Sequence, residues 1–180
     1  GRILVPRQAR RTDGESGLRA SGKVVPNRAN HGGYSRVLAF SRWCAMISRP
    51  ALTLADVKRM ASACEQEAVA HQWAVSIAIV DDGGHLLWFQ RLDGAAPVSA
   101  HIAPAKARTA ALGRRESRIY EELINGGRVS FLSAPEIDGL LEGGVPVIAE
   151  GHCIGAVGVS GVKSSEDAQV AKAGIAALGN

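Results

Sequence analysis

Aromatic residues are scarce in this 180-residue chain: three Trp, two Tyr and three Phe make up 4% of it. A core short of large rings has to be filled by Ala, Val, Leu and Ile, and a hydrophobic content of 46% is enough for that. Cysteine is rarer still. Cys44, Cys64 and Cys153 lie far apart with no C-x-x-C pair, which argues against a disulfide scaffold and a zinc site and fits a reducing cytoplasm. Cys64 falls on an apolar helical face and Cys153 opens an apolar run, so both read as buried small hydrophobes. No stretch of 18 apolar residues occurs, so no membrane-spanning helix is expected. Common catalytic signatures are missing too. There is no P-loop, no G-x-S-x-G elbow and no H-E-x-x-H pair, and Gly155, Gly158 and Gly161 run along a strand instead of opening a helix.

What charge there is divides unevenly. Residues 1–50 carry nine Arg and one Lys against Asp13 and Glu15, a balance of +8, while the eleven basic and fifteen acidic residues of 51–180 leave −4. The basic isoelectric point therefore belongs to the first segment, and the acidic remainder offers no stripe for a phosphate backbone. No nucleic-acid partner is expected. Residues 1–50 hold Gly, Ser, Arg and Pro without a persistent period, and Met46 is the first methionine. They are expected to be a disordered or non-native leader, with an organelle transit peptide as the alternative for an Arg-rich, acid-poor stretch. The domain is placed at 51–180.

Within it, Thr53-Leu-Ala-Asp56 is a capping-box pattern, and Val57, Met60, Ala61, Cys64 and Ala68 follow at helical spacing up to His71. Val75–Val80 and His85–Arg91 read as strands joined by Asp82-Gly83-Gly84. The second carries Leu86 and Trp88, then Leu87 and Phe89, on alternate positions, so it needs cover on both faces. Ser99–Leu112 is Ala-rich and helical, and Ser117 is expected to cap a short helix, Arg118–Ile124. After an irregular stretch, 128–142, come strands Val145–Ala149 and Ile154–Ser160 around a Glu150-Gly151-His152 turn. Ser164-Ser-Glu-Asp167 then reads as a second capping box, opening a final helix with Val170, Ala173, Gly174 and Ala177 inward. Paired hairpins flanked by helices define an α+β fold on an antiparallel sheet.

Candidate chemistry is sparse. His85 and His152 lie in turns and His71 ends a helix, where solvated or dipole-complementing imidazoles are the rule. His101 differs, because it stands near the start of the Ala-rich helix beside Ser99, where an imidazole can ligate iron or exchange protons. Lys106, between alanines, is a candidate for a ligand carboxylate, with a surface lysine as the alternative. Arg91 is a candidate for the same task or for pairing with Asp93. Gly155 and Gly158 leave strand backbone open to a helix or a ligand. No metal site is indicated, and no residue can be assigned as catalytic.

Three stretches together resemble the GlcG/HbpS-like family, which includes the C-terminal domain of PduO-type proteins. They are V-S-I-A-I-V-D-D-G-G-H-L-L-W-F-Q-R-L-D-G-A (75–95), S-A-H-I-A-P-A-K-A-R-T-A (99–110) and G-G-V-P-V-I-A-E-G-H-C-I-G-A-V-G-V-S-G (143–161), followed by E-D-A-Q-V-A-K-A-G (166–174). The resemblance implies a profilin-like α/β/α sandwich with a five-stranded antiparallel sheet, its fifth strand drawn from 128–142, and assembly into homo-oligomers. It also implies a small-molecule ligand, haem or a related tetrapyrrole foremost, with a factor acting on a small organic acid as the alternative. In the haem-degrading type a Thr before the Gly-Gly-x-Pro strand meets the iron; the position here falls near Asp138, so that contact is not kept. The expected ligand-binding set is Arg91, Ser99, His101, Lys106, Asp138 and Gly155, with a tetrapyrrole between the Ala-rich helix and the Gly-bearing strand.

Overall fold

The computed structural model describes residues 48–179, so the expected leader up to residue 47, with His31 and Cys44, lies outside the described residues. Helix α1 (Leu54–Ala70) starts where its capping box directs. Thr53 Oγ1 accepts the Asp56 N–H at 3.2 Å, and the Asp56 carboxylate accepts the Thr53 N–H at 2.9 Å. The Thr53 hydroxyl and backbone bonds, with Arg59 beside them, lower the Asp56 carboxyl to about 2. The predicted stripe, Val57, Met60, Ala61, Cys64 and Ala68, is the buried one. At the other end His71 donates from Nδ1 to Glu67 O at 3.0 Å and stacks on Trp73.

Strand β1 (Ser76–Asp81) pairs with β2 (Leu86–Arg91), and β3 (Gly144–Ala149) with β4 (His152–Ser160). All pairings are antiparallel, in the order β2-β1-β4-β3. One face is covered by α1 and by α4 (Ser164–Ala176), the other by α2 (Ser99–Gly113), which makes the expected α/β/α sandwich. Glu150 and Gly151, both at positive φ, form the two-residue turn that the twist of a hairpin favours. On β2 the alternation is broken. Trp88 stands opposite Ile79 but Leu86 stands opposite Val80, so one residue, Leu87, is extra. Directly opposed residues share a face, which puts Trp88 with the α1 core and Leu86 with the α2 side, not together as expected.

The sheet has four strands among the described residues, not five. The stretch expected to supply the fifth forms a 3-10 turn, Val129–Ser133, and then an extended segment tied to helices. The reason lies at Ser117. Its N–H donates to Gly144 O at 2.9 Å, and its hydroxyl accepts the Gly144 N–H at 2.9 Å and donates to Leu141 O at 2.5 Å. The outward backbone groups at the start of β3 are therefore already used, and Pro146, two residues on, has no N–H to offer. Ser117 makes no side-chain cap to α3 (Arg118–Asn125), contrary to expectation.

The second capping box is also displaced. The Glu166 carboxylate accepts the Lys163 N–H at 3.2 Å, so the helix is capped one residue early and Asp167 faces inward. Of the residues expected inward on α4, Val170 and Gly174 are buried, Ala173 is half-buried and Ala177 is exposed.

Candidate functional site

Ala-rich α2 lies directly on the sheet. Ala103, Ala107, Ala110 and Ala111 meet Ala78, Val80 and Ala156, and all seven are buried. A Cβ on Gly158 would stand 2.2 Å from Ala103 O and 2.4 Å from Ala107 N, so helix and strand backbones touch. A Cβ on Gly155 would meet Val80 O at 2.4 Å and Leu52 Cδ1 at 2.6 Å. The bare backbone is filled by the protein itself. No planar ligand fits between α2 and β4, which corrects the expected location of the site.

Three further candidates are committed to internal partners. Lys106 is buried, with Nζ 2.8 Å from Asp167 Oδ2 and 3.1 Å from Val159 O. It is neither a surface lysine nor open to a ligand; it joins α2, β4 and α4. Burial pushes the Asp167 carboxyl above its usual range, against the pull of the Lys106 hydrogen bond and charge. Arg91 donates from Nε (2.9 Å) and Nη2 (2.6 Å) to Ala95 O, not to Asp93. Ser99 is buried, donates to Ala96 O at 2.6 Å and accepts from Ser76 Oγ at 2.8 Å. Arg91 and Ser99 thus fold the 92–98 loop onto the end of the sheet.

The remaining two, His101 and Asp138, share one surface cleft of about 440 Å³. Its walls are the β1–β2 turn with Gly84, His85 and Leu86, the outer face of α2 with His101, Pro104, Ala105 and Arg108, and Asp138 opposite. Asp138 is held in place by its neighbour: a Cβ on Gly139 would lie 2.2 Å from the Ala105 carbonyl carbon, and the Gly139 N–H donates to buried Thr109 Oγ1 at 3.1 Å. Arg108 pairs with the exposed Glu136 carboxylate.

His85 is exposed at the turn, as expected, and its ring is also held in place. Asp81 Oδ1 accepts the N–H of Gly83 and of His85, each at 2.9 Å, and the carboxylate sits 3.1 Å from His85 Nδ1. Burial would raise the Asp81 carboxyl, but the His85 and Gly83 bonds outweigh it and hold it below its usual range. A carboxylate on Nδ1 keeps the proton there and turns the Nε2 lone pair outward. D-D-G-G-H carries that signal in the sequence, because an Asp two residues before a Gly-Gly turn can accept both turn amides. Arg108 gave no such signal. Among the described residues no group of three His, Cys, Asp or Glu side chains is placed to hold a metal ion, and no helix is long and apolar enough to cross a membrane.

Fold and cleft together define an α+β domain with a small-molecule-sized, imidazole-bearing surface site. The chain belongs to the HbpS-like family: the profile described as "Haem degrading protein HbpS-like" matches residues 52–176. It is 55% identical to protein GlcG of Escherichia coli K12 over 107 residues, which is 57% of this chain and 79% of that one. The structure of a Streptomyces reticuli HbpS double mutant superposes with a TM-score of 0.70 at 29% identity, covering 86% of this chain and all of that one. The crystal structure of a PduOC:heme complex superposes with a TM-score of 0.66 at 28% identity, over 71% of this chain and 95% of that one.

Proposed function

We propose that this chain is a ligand-binding protein that takes haem or a related tetrapyrrole in the cleft between the β1–β2 turn and α2. The observation that carries the reading is the convergence of His101, His85 and Arg108 on one opening, in a chain whose relatives include a haem complex. The donor set suits the group. An imidazole without a hydrogen-bond partner among the described residues could ligate iron, and a guanidinium beside it could meet a ring carboxylate. His101 is assigned the first role and Arg108, whose partner Glu136 is an exposed carboxylate, the second, in place of Lys106, buried against Asp167, and Arg91, which holds Ala95 O. Asp138 closes the far wall. Haem, when bound, supplies the iron and its ligand chemistry; the residues here bind and orient it. Titration of the purified protein with hemin should give a saturable, shifted absorption band at one haem per subunit, and His101→Ala should remove that shift. A band that His101→Ala leaves unchanged overturns the assignment.

A second reading has one observation in its favour. The Asp81–His85 pair presents a held imidazole next to Arg108, which is the arrangement of a general base beside a carboxylate clamp. On that reading the chain is an enzyme or accessory factor acting on a small organic acid, and His85→Gln abolishes turnover in a screen of 2-hydroxy and aromatic acids. Normal haem binding with no turnover on any acid removes it. Either way a homo-oligomer is the proposed working form, because β2 leaves Leu86, Leu87 and Phe89 exposed at the sheet edge, and the free Cys64 and Cys153 support the proposal of a reducing cytoplasmic setting.

A further inference from the structure

The cleft does not end at Asp138. The same residue borders a second hollow of about 290 Å³, whose other walls include Ile124, Leu132, Leu140 and Leu141. The two are unlike in chemistry. His85, His101 and Arg108 line the first, while the second is mainly aliphatic, with Glu121 and Asn125 as its other polar side chains besides the shared Asp138. Leu132 and Leu141 are 67% and 45% exposed. The apolar wall is nevertheless fixed. Gly139 is wedged against the α2 backbone, Leu141 O accepts from Ser117 at 2.5 Å, and the Glu142 N–H donates to Glu121 Oε2 at 2.5 Å. A segment anchored at three points, with Leu140 half-buried and Leu141 exposed beside the exposed Leu132, is a preformed apolar surface.

We propose that the two hollows are one bipartite site that selects its ligand by where the carboxylates lie. It accepts a flat ring whose acidic arms sit on one edge, directed to Arg108 and His85, and whose opposite, carboxylate-free edge passes Asp138 onto Leu132, Leu140 and Leu141. A ring with carboxylates on every side brings negative charge against aliphatic surface and against Asp138 and Glu121, in a lining that holds no cationic side chain. This rests on the tetrapyrrole reading and adds a specificity to it.

The test compares protoporphyrin IX, its iron form hemin, and octacarboxylic uroporphyrin, each titrated into the full chain by fluorescence or absorption. Protoporphyrin is expected to bind at least about tenfold more tightly than uroporphyrin. Leu132→Asp and Leu141→Asp, both at exposed positions and checked for fold by circular dichroism, are each expected to weaken protoporphyrin and hemin about tenfold, the loss of roughly one buried leucine contact. His101→Ala is expected to change hemin and leave metal-free protoporphyrin nearly unaltered, which separates the two claims. If His101→Ala abolishes the hemin shift while both leucine variants bind like wild type, the bipartite site is wrong and the cleft reading stands. Should neither porphyrin bind, the cleft reading fails. The hollow is then judged by an apolar anionic dye such as anilinonaphthalene sulfonate, and dye binding indifferent to Leu132→Asp overturns it as well. If Leu132→Asp instead splits an oligomer without changing porphyrin affinity, the hollow is an interface between copies and the proposal is lost.

Discussion

The two faces of the sheet are packed by different means. On the α1 and α4 face, Met60, Ile77, Ile79, Val157, Val159 and Val170 fill space with branched and flexible side chains, and burial pushes the Cys64 thiol among them up to about 12. On the α2 face the side chains are almost all alanine, and Gly158 and Gly139 bring backbone against backbone. The first kind of packing tolerates exchange, because neighbouring side chains can shift to take up a lost or added carbon. The second has no slack, since the atoms in contact are main chain. The cleft lies on the second face. Its walls are therefore set by where α2 rests, and a change of a few tenths of an ångström at the helix seat is a change in the site.

The largest expected break in this contrast is at Lys106. Removing one member of a buried pair leaves the other charge without a partner, so Lys106→Met should cost about 3–5 kcal/mol in urea unfolding. The double variant Lys106→Met with Asp167→Leu should recover much of that loss. If it does not, the pair is worth more than the charge it neutralises. Next comes a matched comparison of one carbon added and one removed. Gly158→Ala should cost about 1–3 kcal/mol or more by lifting α2, and it should weaken hemin as well. Ile77→Val on the other face should cost about 0.5–1.5 kcal/mol and leave the cleft untouched. Equal effects on the ligand would erase the distinction between the faces. The smallest effect is at the α1 cap, where Thr53→Ala should cost about 1 kcal/mol. Because folding lowers the Asp56 carboxyl from 3.8 to about 2, its contribution is complete above about 3.8 and is lost as the pH falls through about 2. An NMR titration of Asp56 should show that low value, and Thr53→Ala should move it back up.

The same division governs what was legible in the sequence. Features made by neighbours in the chain could be read directly. The Thr53 box, the buried stripe of α1, the two hairpins and the limits of α2 within a residue or so all rest on spacing and turn chemistry. Features made by distant residues could not. Ser117 looks like a helix cap and is a clasp on β3; Asp167 looks like part of a capping box and is the partner of Lys106, 61 residues away. For the same reason four of the six candidate ligand contacts have structural partners, while His101 and Asp138 meet in one cleft. Lys106, Arg91 and Ser99 are polar groups whose partners lie across the fold or around a loop, and spacing says nothing about a partner that folding supplies. Arg108 carries no local signal of its place at the cleft, because an exposed arginine on an Ala-rich helix is equally what a solvated face requires.

The edges of the sheet differ as well, and the difference has a bearing on assembly. Along β3 the outward amide of Gly144 is held by Ser117 and Pro146 has none, whereas among the described residues no strand pairs with the outer side of β2, beside Leu86, Leu87 and Phe89. Such a sheet can be extended in one direction only. Two copies that meet through β2 about a twofold axis use up the one adhesive edge of each, and the blunt β3 edges face outward. Strand pairing between copies is then self-terminating: it closes at a pair and cannot run on into a fibre.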